Sequence, residues 1–152
     1  METKIIPAFN IIGITVKTTN ENNQAASDIP ALWKKFMEEG ILQKIPNKVN
    51  NEIYSMYTDY ESDFTRPYTT IIGCKVENLN EIPEGMVGKT VEGSTYNFST
   101  TKGDLSKGVI INHWSKIWQS NIKRAYTTDF EIYGEKASNP QNAEVEFYVA
   151  VK

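Results

Sequence analysis

Two helical patterns, each set among strand patterns in the same order, constrain this chain most. Phe9 to Thr18 (FNIIGITVKT) is rich in β-branched residues and reads as a strand, with Pro7 at its entrance. A polar loop follows, from Thr19 to Ala26. Ser27 or Asp28 is placed to cap a helix with Pro30 in its first turn, running to about Glu39 and stopping at Gly40. Its apolar stripe is Leu32, Trp33, Phe36 and Met37. Glu52 to Glu61 and Tyr68 to Val76 read as strands, with a turn at Arg66-Pro67 between them. Asn78 to Gly88 is a linker. Then the pattern returns. Lys89 to Thr101 reads as a strand bent at Gly93, and Ser106 to Ile122 as a helix with Ile110, Ile111, Trp114, Ile117, Trp118 and Ile122 at helical spacing. Asp129 to Gly134 and Glu144 to Lys152 close the chain as strands.

Strand, helix, strand, strand, stated twice, predicts an α+β fold of tandem duplicated β-α-β-β units, each of about 75 residues, forming an antiparallel sheet with two helices. A single domain over 1–152 is expected, with pseudo-repeats over about 1–77 and 86–152. A groove between the two halves is a natural ligand site.

Charge and cysteine content narrow the function classes. The net charge of −3 and the lack of a basic cluster argue against direct nucleic-acid binding. Lys34-Lys35 and Lys123-Arg124 read as solvated pairs. The one cysteine, Cys74, excludes an internal disulfide and a thiolate zinc site, and its apolar run makes it a small buried hydrophobe. No cofactor or metal is implied by any spacing of His, Cys or carboxylates. His113 has no partner at a triad spacing and reads as a structural or helix-surface histidine. The N-terminus lacks a signal-peptide core and no stretch is long enough to span a membrane, so a cytoplasmic location is expected.

The chemistry concentrates in Asp129-Phe130-Glu131-Ile132-Tyr133-Gly134. On a strand, Phe130 and Ile132 face one way and Asp129, Glu131 and Tyr133 the other. If that polar face meets solvent, Glu131 is a solvated carboxylate. If it lines a groove, Glu131 is a buried charge that needs a partner. Glu146 would share its face if the last two strands pair in the obvious register. The eight Tyr, six Phe and three Trp allow two readings as well. They are core and sheet packing, or they wall a groove for flat or cationic molecules through stacking and cation–π contacts.

Several pieces together resemble the GyrI-like small-molecule-binding domain, the effector-binding domain of AraC-type and multidrug-sensing regulators. They are Phe9-Asn10-Ile11-Ile12-Gly13, Ile29-Pro30-Ala31-Leu32-Trp33-Lys34-Lys35-Phe36, Tyr68 to Val76, Ile82-Pro83-Glu84-Gly85, Phe130-Glu131-Ile132-Tyr133 and Glu144 to Val151. The resemblance implies a duplicated SHS2-type unit with a central groove and a carboxylate in it, at Glu131. Around it the ligand-binding set would be Trp33, Tyr54, Tyr57, Trp114, Trp118, Tyr133 and Glu146. The implied ligand is a small hydrophobic molecule, often a cationic aromatic compound. Some relatives instead hydrolyse strained electrophilic toxins with the same Glu, and others modulate gyrase as protein partners. Because the unit takes up all 152 residues, a free-standing bacterial binder without a helix-turn-helix is expected, acting alone or through a regulatory protein partner.

Overall fold

Eight strands pair into one antiparallel sheet in the order β1-β6-β8-β7-β3-β4-β2-β5. They are β1 (Glu2–Ile6), β2 (Phe9–Thr18), β3 (Ile53–Thr58), β4 (Tyr68–Val76), β5 (Val87–Val91), β6 (Ser94–Gly103), β7 (Thr128–Tyr133) and β8 (Ala143–Ala150). The helices are α1 (Ala25–Glu38), the one-turn α2 (Ile41–Lys44) and α3 (Val109–Trp118). The computed structural model describes residues 2–152; Met1, the first residue of the expected N-terminal unit, lies outside them.

With each strand of the first half matched to its counterpart in the second (β1 with β5, β2 with β6, β3 with β7, β4 with β8), the strand order reads the same from either end. β3 and β7 join at the middle, and each outer strand precedes in the chain the strand next to the opposite edge. β1 leads into β2 yet pairs with β6; β5 leads into β6 yet pairs with β2. Only Pro7-Ala8 and Glu92-Gly93 separate these strands, links too short to reach across a flat sheet. The sheet is therefore strongly curved. Its far face closes over a core of Phe9, Ile11, Met56, Phe130, Tyr96 and their neighbours, drawn from both ends of the sheet.

One expectation is corrected here, and one strand is an addition to the sequence reading. The strand expected over Lys89 to Thr101 is two strands, because Gly93 ends one pairing and begins another rather than bending a single strand. β1 was unforeseen: it is a five-residue edge strand, mostly exposed, with no apolar alternation to announce it.

The two long helices, α1 and α3, lie on the other face, each over its own side. Leu32 and Phe36 of α1 pack on Ile12, Ile14, Ile72 and Cys74. Trp114 and Ile117 of α3 pack on Val145, Phe147 and Val149. The joint between β3 and β7 is left uncovered between them, and it becomes the floor of a cleft.

Helix limits also shift. α1 begins at Ala25, so Pro30 sits in its second turn and leaves the Ala26 carbonyl without the usual helical bond. Asp28 does not cap the helix; it accepts from Thr18 and Gln24 instead. α3 is shorter than expected, because Gly108 at φ 73° separates it from a 3₁₀ turn at Leu105–Lys107, and Ile122 lies beyond its end.

Gly13 and Gly73 face each other across β2 and β4. A Cβ on Gly73 would fall 2.1 Å from the Ile12 carbonyl oxygen, and one on Gly13 would fall 2.2 Å from that of Ile72. Backbone, unlike a side-chain tip, cannot yield cheaply. Gly73→Ala is expected to cost about 1–3 kcal/mol, read as a lower urea midpoint with an unchanged m-value.

Candidate functional site

The cleft between α1 and α3 has two lobes that share Ile29, Pro30, Tyr57, Leu105 and Ile110. The larger, about 920 Å³, is walled by Trp33 and Met37 of α1, Ile53 and Tyr57 of β3, and Tyr133, with Glu131 in its floor. The smaller, about 610 Å³, is walled by Tyr60, Phe64, Tyr68, Trp114 and Trp118, with Arg124 among its lining residues.

Glu131 is 1% exposed. β3 and β7 pair with Glu131 directly opposite Ser55, so the carboxylate stands at the joint of the sheet. Strand alternation places Tyr57 and Tyr133 on the same face. Tyr133 donates its hydroxyl to Oε1 at 2.5 Å, and Tyr57 donates to Oε2 at 2.7 Å. α3 lowers Trp114 onto the same point, and its indole N–H donates to Oε2 at 2.5 Å. The Ser55 hydroxyl donates to the Tyr57 oxygen at 3.2 Å, extending the chain.

Three neutral donors thus hold one carboxylate, and among the described residues no Lys, Arg or His forms an ion pair with it. Burial pushes the Glu131 pKa above the usual carboxylate range; the bonds from Tyr133, Trp114 and Tyr57 pull it back only in part. Burial, and then the negative charge of Glu131, hold the phenols of Tyr57 and Tyr133 well above their ordinary pKa. They stay protonated and remain donors.

The second carboxylate of β7 is handled differently. Asp129 is also fully buried, but its Oδ2 accepts from Arg124 Nη2 at 2.7 Å and from the Tyr60 hydroxyl at 2.6 Å, while Oδ1 accepts from the Ala150 N–H at 2.7 Å. Arg124 is only 6% exposed, so the reading of Lys123-Arg124 as a solvated pair fails for its second member. Burial works against its charge, but Asp129 and Tyr60 outweigh that and raise its pKa.

Of the residues expected in the groove, Trp33, Tyr57, Trp114, Trp118, Glu131 and Tyr133 line the cleft. The Trp33 ring stands edge-on to Tyr133 at 4.9 Å, Trp114 edge-on to Tyr57 at 5.5 Å, and Trp118 lies stacked on Phe64 at 5.3 Å. Tyr54 and Glu146 are not among them. Tyr54 is three residues from Tyr57 on one strand and so points to the far face, into the core with Phe9 and Phe130. Glu146 pairs with Ile132 rather than Glu131 and shares that far face, where it accepts from Tyr148.

Sequence reasoning missed Tyr60, Phe64, Tyr68 and Arg124. For Arg124 the available signal was Asp129, a second inward carboxylate on the same strand face. His113 lies outside both lobes, packed on Phe147 at 4.3 Å with Nε2 2.8 Å from the Ser99 hydroxyl. Cys74 is buried, and burial pushes its thiol up to about 11. Among the described residues no group of three or more His, Cys, Asp or Glu could hold a metal ion. No helix among them is long and apolar enough to cross a membrane.

Known proteins share this architecture along the whole chain. The integron cassette protein VCH_CASS2 of Vibrio cholerae superposes with a TM-score of 0.75 at 31% identity, covering 99% of this chain and 95% of that one. A structure of SAV2435 bound to tetraphenylphosphonium superposes with a TM-score of 0.77 at 19% identity, covering 99% and 93%. In sequence, the chain is 26% identical over 144 residues to YobU of Bacillus subtilis (strain 168), named as a candidate transcriptional regulator; the match covers 92% of this chain and 90% of that one. The family model described as "Cass2: Integron-associated effector binding protein" matches residues 4–151. With an antiparallel α+β fold and a small-molecule cleft of the GyrI-like kind, the chain belongs to the Cass2 family of integron-associated effector binding proteins.

Proposed function

We propose that this protein binds a small hydrophobic cation, aromatic in character, with the charge held at Glu131 and the apolar body against Trp33, Tyr57, Trp114 and Tyr133. The observation that carries this reading is a buried carboxylate in an aromatic cleft, bonded by neutral donors and lacking a cation. Such a group is costly to keep ionised when empty, and a ligand's positive charge removes that cost. The surrounding rings add cation–π attraction of about 0.5–2 kcal/mol each. Apolar ligand surface contributes about 2.5 kcal/mol for every 100 Å² taken from water. The tetraphenylphosphonium held by SAV2435, a protein of the same fold, supports the choice of ligand class. In this reading residues 1–152 act as one effector-binding domain whose two halves each supply one helix wall and one floor strand.

Titration with tetraphenylphosphonium should quench or shift tryptophan fluorescence in a saturable way, since Trp33 and Trp114 flank the proposed site. A protein that shows no saturation, for this cation or for a panel of cationic dyes, does not bind this class.

The pH dependence has a fixed sign. The cation is bound by the ionised form, and the pKa of Glu131 in the free protein is raised by burial. Affinity for a permanent cation should therefore be flat above that pKa and fall about tenfold per pH unit below it. Binding at a pH near it should release protons, measurable by calorimetry in buffers of different ionisation enthalpy. A pH-independent affinity in this range would remove Glu131 from the binding step.

A further inference from the structure

The smaller lobe is lined by an arginine with two donor groups that no described residue uses. Arg124 spends Nη2 on Asp129 and, at 3.4 Å, on the Tyr60 oxygen. Its Nε and Nη1 are buried with no hydrogen-bond partner. The guanidinium carbon lies 4.4 Å from the Tyr126 ring centroid and within 5.9 Å of those of Tyr60, Phe64 and Trp114, so aromatic rings surround the group. A buried guanidinium with two of its nitrogens unpaired is unusual, because each unmade bond of a charged donor is costly.

We propose that one of these free donors, Nε or Nη1, forms a second subsite, which takes a neutral oxygen acceptor, such as a carbonyl, on the same ligand whose cationic part sits at Glu131. The lobes are continuous. Tyr57 lines both, and Trp114 bridges them by donating to Glu131 while its ring flanks Arg124. Charge balance sets the class. Among the buried groups, Glu131 and Asp129 carry two negative charges and Arg124 one positive charge, one short of neutrality; Glu52 and Glu135 also line the larger lobe but are not buried, and water screens them. A monocation with an uncharged acceptor closes that balance. A carboxylate at Arg124 would bring negative charge beside Asp129 in a low-dielectric lobe. The ligand class is thus an elongated aromatic monocation bearing a ketone, ester or amide oxygen. This rests on the reading of Glu131 as the cation site.

The test uses triphenylphosphonium salts with matched side chains: alkyl, oxoalkyl with the ketone at each of several positions, and carboxyalkyl. In the wild-type protein one oxoalkyl member should bind about tenfold tighter than its alkyl counterpart, the gain expected for one bond to a charged donor. In Arg124→Lys, which keeps a cation beside Asp129 but removes the guanidinium donors, the ratio of oxoalkyl to alkyl affinity measured within the variant should collapse to less than about twofold, whatever the variant does to alkyl affinity itself. If Arg124→Lys does not fold, the wild-type pair still decides the matter. Alkyl binding with no gain for any ketone overturns the subsite alone, as does a gain that survives Arg124→Lys. Tighter binding of the carboxyalkyl member overturns its assignment to a neutral acceptor. Failure of every phosphonium, alkyl included, overturns the cation site itself and this proposal with it.

Discussion

Glu131→Gln is expected to weaken tetraphenylphosphonium binding by roughly 30- to 300-fold, about 2–3 kcal/mol, while leaving a neutral triarylmethane of similar size within about twofold. The figure follows from one unit charge removed about 6–8 Å from a phosphorus centre wrapped in phenyl groups, at an effective dielectric near 20. The substitution is conservative for the site. Trp114 can only donate, so the amide must turn its oxygen toward Trp114 and Tyr57. Its NH₂ then faces Tyr133, whose hydroxyl can rotate to accept. Every polar atom keeps a partner and the cavity keeps its shape. Calorimetry with both ligands reads the difference. Equal losses for cation and neutral compound would mean that the cleft was reshaped. No loss for either would mean that Glu131 does not select charge.

Glu131 was legible from strand periodicity and from the resemblance carried by Phe130-Glu131-Ile132-Tyr133. Its partners were legible only in part. Tyr133 follows from the same alternation, because residues two apart share a face. That rule also separates Tyr54 from Tyr57, which are three apart, so the sequence held enough to discard one of them. Glu146 is another matter. Its face depends on the register of β7 against β8, and the 134–142 connection is too long to fix a register. Glu131 opposes Phe147, and that one-residue difference sends Glu146 to the far side. The helix patterns were legible because Leu32, Phe36, Trp114 and Ile117 recur at helical spacing and are buried. β1 and the break at Gly93 were not, since an exposed edge strand and a change of pairing partner leave little trace in local composition. Arg124 was the largest omission. Beside Lys123 it looked like half of a surface pair, and only the arrival of Asp129, Tyr60 and Tyr126 from other parts of the chain buries it.

Asp129→Ala is expected to destabilise the fold by about 3–5 kcal/mol, the cost of removing one partner of a buried ion pair. The Arg124 guanidinium, the Tyr60 hydroxyl and the Ala150 N–H would each lose an acceptor at once. An exposed pair such as Lys34–Glu38 makes the contrast, since its loss should cost less than about 1 kcal/mol. Urea unfolding of both variants measures the gap, and an Asp129→Ala loss no larger than that of Glu38→Ala would refute the structural role given to the pair. Two residues further along the same face, Glu131→Gln should do the opposite to the empty protein. A carboxyl whose folded pKa is raised is stabilising when protonated, below its unfolded value, and loses that contribution as pH rises through the folded value. At neutral pH the empty fold carries Glu131 as a cost, so the glutamine variant should match or exceed wild-type stability there and lose this part of the pH slope. One β7 carboxylate has its cation built in; the other has none among the described residues, and that difference is what the proposed cation site at Glu131 rests on.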